Sequence, residues 1–284
     1  MFEKQIRSAA HAAVVAHNTR AWDRLADTKA ALARPAADAA FTDPRKWLGA
    51  GGWLAGEGQG RSWLPPRLDG LEVLCLAAGG GKHGPLYAAA GGRVTVLDCS
   101  PAMLALDRQV AAERRIDYQI VQGSMDDLSM FGTGRFDLVI HPVSTCYLPD
   151  VQRVFQEVAR VTKASGLYIS QHKSPTSLQA SLEPGARGCY ELRHAVAGRH
   201  AAEPLPPEPP SRLREHGTQE FIHSLSSLVG GICRAGFVVE DLYEPEHADA
   251  EAPVGSFGHR GCFLPPYLRI LAKKQAAEPR VTLV

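Results

Sequence analysis

The stretch from Val73 to Leu104 constrains the fold of this chain more than any other. An apolar run, VLCL, leads into three consecutive glycines, a helical segment follows, and a β-branched run, RVTVLD, ends at Asp98. Glycines let a backbone approach a ligand closely and adopt positive φ. A carboxylate at the tip of the second strand can accept hydrogen bonds from both hydroxyls of a ribose. The pattern predicts a β–α–β unit that binds a nucleotide at the carboxyl edge of a parallel sheet.

These glycines fit two different cofactors. Gly79, Gly81 and Gly84 satisfy the dinucleotide fingerprint G-x-G-x-x-G. The acid at position 98 lies near the offset expected for either NAD or S-adenosylmethionine. The glycine loop by itself therefore leaves the choice between the two open.

Short apolar runs alternate with helical segments from residue 71 to residue 171. Ser100 is a good N-cap for a helix over Pro101–Arg115, and Asp150 for one over Val151–Val161. Strands this apolar, joined by helices, imply a parallel sheet that is covered on both faces. The predicted strands are Glu72–Leu76, Arg93–Asp98, Tyr118–Gln122, Phe136–His141 and Gly166–Gln171.

Three phrases after the glycine loop favour S-adenosylmethionine. Asp98 is followed by CSPAML, the third strand runs into GSMDDL, and FDLVIHPV precedes a helix and a VTKASGLYIS strand. With these phrases, residues 70–172 resemble the class I, Rossmann-like, S-adenosylmethionine-dependent methyltransferases. The cofactor loop departs from the usual family pattern, because Cys75 replaces an acid and Ala77 replaces the first glycine. It is similar to a branch with an L-C-L-A-x-G-G-G loop.

The resemblance implies an α/β fold with a seven-stranded, mostly parallel sheet and helices on both faces. Five strands would come from residues 72–171, and an antiparallel pair from 237–243 and 266–273. Ser224–Ala235 reads as a helix that Gly236 ends. The expected organisation is an N-terminal helical cap (1–70), a cofactor-binding core (71–172), a lid insertion (173–220) and a C-terminal part completing the sheet (221–284).

The resemblance also implies the residues that hold the cofactor. Asp98 would bind the ribose hydroxyls, and Gly79 and Gly81 would face the methionine portion. Met125 would lie by the adenine, and Asp126 would accept its exocyclic amine. Ser124 stands where the family often has an acid. The full predicted cofactor set is Ala77, Ala78, Gly79, Gly81, Asp98, Cys99, Ser124, Met125, Asp126 and His141.

Methyl transfer from a sulfonium is an in-line displacement, so the protein must align donor and acceptor and sometimes remove a proton. His141, Tyr147 and His172 follow the fourth and fifth strands at the productive edge of the sheet and are the predicted catalytic residues. Lys82 and His83 suit the carboxylate of the cofactor. Weaker candidates are the pair His259–Arg260, the tryptophans Trp47, Trp53 and Trp63 as a wall of the site, and Trp22 on an N-terminal cap.

The composition of the chain limits the kinds of partner that we expect it to bind. Lys and Arg total 31 against 30 acids, so no general attraction draws the chain to nucleic acid or anionic membrane. No apolar stretch approaches the roughly 20 residues of a membrane span, no secretory signal is recognisable, and the six cysteines form no C-x-x-C pair. We expect a cytoplasmic monomer or homodimer that methylates O, N, S or C of a small molecule without a metal.

Two alternatives remain at this stage. An NAD-dependent oxidoreductase on the same type of fold would need a catalytic group such as Tyr-x-x-x-Lys, which does not follow the fourth or fifth strand. A non-catalytic cofactor-binding protein on a degenerate methyltransferase fold is kept open by the changes at Cys75, Ala77 and Ser124.

Overall fold

The computed structural model describes residues 2–50, 62–196, 203–208 and 211–276. Within these residues the chain forms one seven-stranded sheet in the order β3-β2-β1-β4-β5-β7-β6. Neighbouring strands from β3 to β5 run parallel, and β7 is antiparallel to both β5 and β6. The strands are β1 (Glu72–Leu76), β2 (Arg93–Asp98), β3 (Gln119–Gln122), β4 (Phe136–His141), β5 (Thr162–Lys173), β6 (Phe237–Tyr243) and β7 (Tyr267–Lys274). This confirms the predicted α/β class I fold and its antiparallel last strand.

The helices of the described residues cover both faces of the sheet. They are α1 (Phe2–Asp27), α2 (Pro44–Ala50), α3 (His83–Ala89), α4 (Pro101–Arg114), α5 (Gln152–Val161), α6 (Pro175–Gln179), α7 (Leu225–Arg234) and α8 (Phe257–Gly261). None of them is long and apolar enough to cross a membrane.

The core lies in two layers, one on each side of the sheet. In β1, Leu74 and Leu76 point into a layer built with α5 and α7, whereas Val73 and Cys75 point into a layer built with α2 and α3. Successive side chains of a strand point to opposite faces. A strand covered on both sides therefore has to be apolar throughout, which explains the unbroken VLCL run.

Several boundaries differ from the sequence-based expectations. Helix α2 is not among the individual elements predicted from the sequence, and it begins where the Asp43 carboxylate accepts the Lys46 N–H at 3.0 Å. The candidate pair His259–Arg260 lies in α8, which is likewise not among the predicted elements. Ser100 is the N-cap of α4 as predicted, whereas α5 has Val151 at its N-cap, and Asp150 accepts the Gln152 N–H.

Strand β5 is longer than predicted and continues to Lys173. The extension carries Gln171, His172 and Lys173 past the end of β4, because His141, the last residue of β4, pairs with Ser170. The carboxyl ends of the central strands therefore form a stepped edge, and the main cavity of the protein lies over this edge.

Candidate active site

A cavity of about 510 Å³ lies at the carboxyl edge of the parallel strands. Its lining includes the segments that follow β1, β2, β3 and β4, together with residues of β5 and β7. In open α/β sheets, ligands bind in the crevice outside the carboxyl ends of the strands, where the strand order reverses. Here that reversal lies between β1 and β4.

The glycine loop after β1 is held by two carboxylates. Gly79 N–H donates to Asp98 Oδ2 at 2.9 Å, and the N–H groups of Gly80 and Gly81 donate to Asp107 Oδ2 at 2.7 and 3.1 Å. Gly80 has φ +110° and Gly81 φ +68°, and a Cβ on either would lie within 2.8 Å of a side chain of α4. The glycines are therefore required both by the turn and by its close packing on α4.

Asp98 ends β2 and lines the cavity, as predicted. Its side chain is buried, and its other oxygen, Oδ1, accepts the Ser100 N–H at 2.9 Å. Burial raises the pKa of this carboxyl, and the backbone hydrogen bonds from Ser100 and Gly79 partly offset that effect. Each carboxylate oxygen can accept more than one hydrogen bond, so the group retains capacity for a hydroxyl of a ligand.

Asp107 was not among the predicted residues, although it holds two amides of the loop. It is fully buried on α4, and the Tyr118 hydroxyl donates to its backbone oxygen at 2.8 Å. Burial raises the pKa of this carboxyl to about 7. The signal in the sequence is an acid on the apolar face of a helix, three residues after Leu104 and three before Val110.

The loop after β3 contributes one end of the cavity. Ser124 and Met125 line it, as do Cys99 and Met103. Asp126 is not in the lining: the Ser124 hydroxyl and His11 Nε2, the latter at 2.6 Å, contact its buried carboxylate. The Asp126 carboxylate therefore links this loop to α1, and its contact with an adenine amine stays a prediction that this placement does not support.

Two predicted catalytic histidines, His141 and His172, lie beneath the cavity and not in its lining. Both are fully buried. His141 contacts Tyr168 OH and Ser144 Oγ, each at 2.7 Å, and His172 contacts Thr145 Oγ1 and Ser170 Oγ, each at 2.9 Å.

Burial lowers the pKa of His141 to about 3 and that of His172 well below its ordinary value. With both ring nitrogens engaged, these neutral imidazoles support the ends of β4 and β5. The structure thus places both imidazoles outside the cavity lining, and their catalytic roles and the contact of His141 with the cofactor stay predictions that this placement does not support.

Tyr147, the third predicted catalytic residue, does line the cavity. Its hydroxyl donates to Glu215 Oε2 at 2.8 Å. Glu215 also accepts from Lys173 Nζ at 2.5 Å, and Lys173 donates further to Glu220 at 2.8 Å and to the Leu213 carbonyl at 2.6 Å. Although burial alone would raise the pKa of Glu215, Lys173 holds it below its ordinary value. The segment around Glu215 is thus fastened over the site by a buried ion-pair network.

Helix α1 closes the cavity from the other side. Val15, Asn18 and Trp22 line it, and the Trp22 ring meets the Tyr147 ring edge to face at 5.6 Å between centroids. Asn18 donates to the carbonyls of Tyr147 and Gln219 at 2.9 and 3.0 Å and accepts the Gln219 N–H at 2.8 Å. The expectation of a tryptophan on an N-terminal cap agrees with this placement.

A polar group at the far end of the cavity was missed by sequence reasoning. Gln171 from β5, Tyr267 and Arg269 from β7, and Arg212 and His247 from the connecting segments line this end. Nothing in the local sequence marks them, because they come together only when β7 pairs with β5, where Arg269 lies opposite Gln171.

The remaining candidates fall into two groups. Lys82 and His83 line the cavity, and burial lowers the pKa of His83 to about 3, so its imidazole is neutral.

Three other candidates, Gly81, Trp63 and Arg260, lie outside the cavity lining. Trp63 donates to Asp241 Oδ2 at 2.9 Å, Arg260 is buried against the carbonyls of Ser177 and Ser181, and Trp53 lies outside the described residues.

Comparison with known proteins agrees with this architecture. The methyltransferase domain family matches residues 74–170. The chain is 36% identical over 237 residues to YbaJ, an uncharacterised methyltransferase of Bacillus subtilis, which is 82% of this chain and 91% of that protein. It is 31% identical over 143 residues, 49% of this chain and 58% of that protein, to a ubiquinone biosynthesis O-methyltransferase of Xanthomonas oryzae pv. oryzae.

The fold is likewise that of a solved S-adenosylmethionine-dependent methyltransferase from Mesorhizobium loti. The two share 22% identity and a TM-score of 0.58, over 74% of this chain and 94% of that one. The likeness to YbaJ extends over nearly the whole length of that protein. The chain therefore belongs to the class I methyltransferase family, whose cofactor is S-adenosylmethionine.

Proposed function

We propose that the protein transfers the methyl group of S-adenosylmethionine to a small molecule held in the same cavity. The observation that carries this proposal is the continuity of the cavity. It begins at the glycine loop and Asp98, passes β4, and ends at residues of β5 and β7. The part at the glycine loop and Asp98 suits a nucleoside, and the part near β5 and β7 is available for a second molecule.

The chemistry of the first part fits the cofactor. Asp98 offers a carboxylate for the ribose hydroxyls, Met103 and Met125 offer apolar surface for the adenine, and Lys82 offers a cation near the loop for the cofactor carboxylate. When bound, S-adenosylmethionine supplies an electrophilic methyl group. In this proposal Ala77, Ala78, Gly79, Cys99 and Ser124 complete the contacts, and Gly81 and Asp107 fix the shape of the loop.

The remaining residues align the acceptor and exclude water. Tyr147 and Trp22 form an aromatic wall, and α1 with the 213–220 segment encloses the space above it. Burial raises the pKa of the Tyr147 hydroxyl, which therefore stays protonated and bound to Glu215. Alignment in an enclosed site lowers the barrier of a bimolecular displacement. A cavity of this size, partly covered by α1 and the 213–220 segment, favours a small acceptor over a polymer.

The test is the affinity for S-adenosylhomocysteine, measured by calorimetry. Asp98→Ala removes the acceptor of the ribose hydroxyls, and charge-assisted hydrogen bonds contribute roughly 1.5–3 kcal/mol each. We therefore expect at least a tenfold rise in Kd. Asp127→Ala, which removes an exposed carboxylate from the neighbouring loop, is the matched control and should leave Kd unchanged.

Unchanged binding by Asp98→Ala would show that the ribose lies elsewhere. If the wild-type protein binds NADH and not S-adenosylhomocysteine, the proposed function itself is wrong.

A further inference from the structure

We propose that the methyl acceptor is a planar, largely apolar molecule with an O–H or N–H group, from which Ser144 and Tyr147 accept hydrogen bonds in the middle of the cavity. This inference rests on the proposed function and specifies its substrate class. It follows from where the hydroxyl and amide protons of this part of the cavity already point.

The Ser144 hydroxyl lines the cavity, and its proton is already engaged by the protein. Its Oγ lies 2.7 Å from His141 Nε2 and 3.1 Å from the Pro142 carbonyl oxygen. A hydroxyl has one proton and two lone pairs, and a neutral imidazole has one N–H. If His141 Nε2–H donates to Oγ, the Ser144 proton binds the Pro142 carbonyl. In the other tautomer the Ser144 proton binds Nε2. In both cases Oγ keeps a lone pair for a donor in the cavity.

The protons of two other lining side chains, Tyr147 and Asn18, are engaged as well. Tyr147 OH donates to Glu215 Oε2 at 2.8 Å, so the phenol oxygen can only accept from a further group. The Asn18 amide donates both N–H groups to backbone carbonyls, at 2.9 and 3.0 Å. Glu215 is a carboxylate whose pKa Lys173 holds below its ordinary value, so it too accepts. A ligand among these side chains therefore meets acceptors, which favours a molecule that donates.

The wall around these acceptors suits a flat apolar body. The rings of Trp22 and Tyr147 meet edge to face at 5.6 Å between centroids, and Val143 packs in the same apolar cluster. All three line the cavity. Sites for small molecules combine such apolar walls with a few placed polar groups that set orientation and specificity. Here the wall would bind the body of the acceptor, and the two hydroxyl oxygens would select a molecule with a donor.

Ser144 lies where the cofactor part of the cavity meets the rest. Cys75 of β1 pairs with Ile140 of β4, so the glycine loop and the segment that leads to Ser144 leave adjacent strands, about 4.8 Å apart. Ser144 Oγ is also 3.5 Å from Sδ of Met125, the residue proposed to lie by the adenine. A donor bound to Ser144 is therefore held next to the cofactor.

The experiment is a ligand-observed NMR titration of the protein saturated with S-adenosylhomocysteine. The probes are indole, which has one N–H donor, and benzofuran and indene, which have nearly the same shape and no donor. One net hydrogen bond corresponds to about a fivefold difference in Kd, so indole should bind about five times more tightly than either.

Variants of Ser144 locate that preference. Ser144→Ala should remove most of it, and an unchanged Kd for indene would show that the apolar wall is intact. Ser144→Thr keeps the hydroxyl and should retain the preference. Ser129→Ala, which changes an exposed serine of the loop after β3, is the matched control and should behave as the wild-type protein does.

Several results would overturn the inference while leaving the proposed function intact. Indole could fail to bind, or could bind no more tightly than benzofuran and indene. The preference could survive in Ser144→Ala, which would place the selecting group elsewhere. A tenfold loss of S-adenosylhomocysteine affinity in Ser144→Ala would assign this hydroxyl to the cofactor. Failure of the wild-type protein to bind S-adenosylhomocysteine would instead overturn the proposed function.

Discussion

At the scale of single residues, Asp98 and Asp107 contact the glycine loop from different sides. Asp98 faces the cavity and is available to a ligand, whereas Asp107 is enclosed behind the loop and holds the Gly80 and Gly81 amides. Asp107 therefore fixes the shape of the loop, whereas Asp98 holds the Gly79 amide and, in the proposed function, also binds the ribose.

The buried position of Asp107 predicts a pH dependence of stability. Its folded-state pKa of about 7 lies above the ordinary value of 3.8 for an aspartate. Such a group stabilises the fold when protonated, and that contribution is lost as pH rises through 7. Asp107→Asn keeps an acceptor for the amides and does not titrate. Relative to wild type, the variant should gain about 2 kcal/mol of unfolding free energy between pH 5.5 and 8.5.

Urea denaturation at the two pH values measures this difference, and Asp127→Asn serves as an exposed control. Comparing variant with wild type cancels the opposite contribution of the buried histidines, which destabilise the fold in acid. A gap between the two proteins that does not change with pH would mean that Asp107 ionises normally in the folded state.

These residues also show what a sequence reveals at this scale. The position of Asp98 in the cavity was predictable, because it follows from the place of this residue at the end of a strand and near a glycine loop. For His141 and His172 the sequence could not predict burial beneath the cavity, because the same placement at a strand end suits a catalytic residue and a buried hydrogen-bonding one. Only the hydrogen-bond partners in the folded structure, such as Tyr168 on the neighbouring strand for His141 and Thr145 after β4 for His172, show how each imidazole is held.

At the scale of elements, the strands were predicted better than the helices that enclose the site. β1, β2 and β4 begin and end at the predicted residues, because strands buried on both faces leave a nearly continuous apolar signal. The bounds of the edge strand β6 also agree with the prediction, although only Phe237 of this strand is buried. Helix α2 was missed because its sequence, PRKWLGA, is only seven residues long, begins with a proline and shows little periodicity. The association of α1 with the cavity depends on side chains such as Asn18, which no local pattern marks.

Asn18 offers a test of α1 as a closing element. It is 3% exposed and its amide makes three hydrogen bonds to the segments that carry Tyr147 and Gln219. A net hydrogen bond contributes about 1 kcal/mol, so Asn18→Ala should ease local detachment of α1 by about 2 kcal/mol. We expect trypsin cleavage at Arg20 and Arg24 to accelerate roughly tenfold or more.

Thr28→Ala is the matched control, because the Thr28 hydroxyl bonds to the end of α1 itself. S-adenosylhomocysteine should slow cleavage of the wild-type protein if α1 closes over the bound cofactor. Equal cleavage of the two variants would show that α1 is held by other contacts.

At the scale of the whole molecule, three distant parts of the chain meet at Lys173 and Tyr147. Lys173 extends from the end of β5 and binds the 213–220 segment through Leu213, Glu215 and Glu220. Tyr147 binds the same segment through Glu215 and α1 through its backbone oxygen. The sheet, the N-terminal helix and the segment after β5 are thereby joined around one cavity.

The buried charges at this junction predict that the free energy of unfolding depends on the balance between acids and bases. Lys173→Met leaves Glu215 and Glu220 buried with only Arg214 as a cation, and breaking a buried ion pair by removing one partner costs about 3–5 kcal/mol. The double variant Lys173→Met/Glu215→Gln removes one charge of each sign and keeps the Glu220–Arg214 pair. It should therefore recover at least about 1 kcal/mol of unfolding free energy in urea, although it has lost more polar contacts than the single variant. If the double variant is instead as unstable as the single one, the network contributes through its hydrogen bonds, and the balance of charge is not what holds the segment over the site.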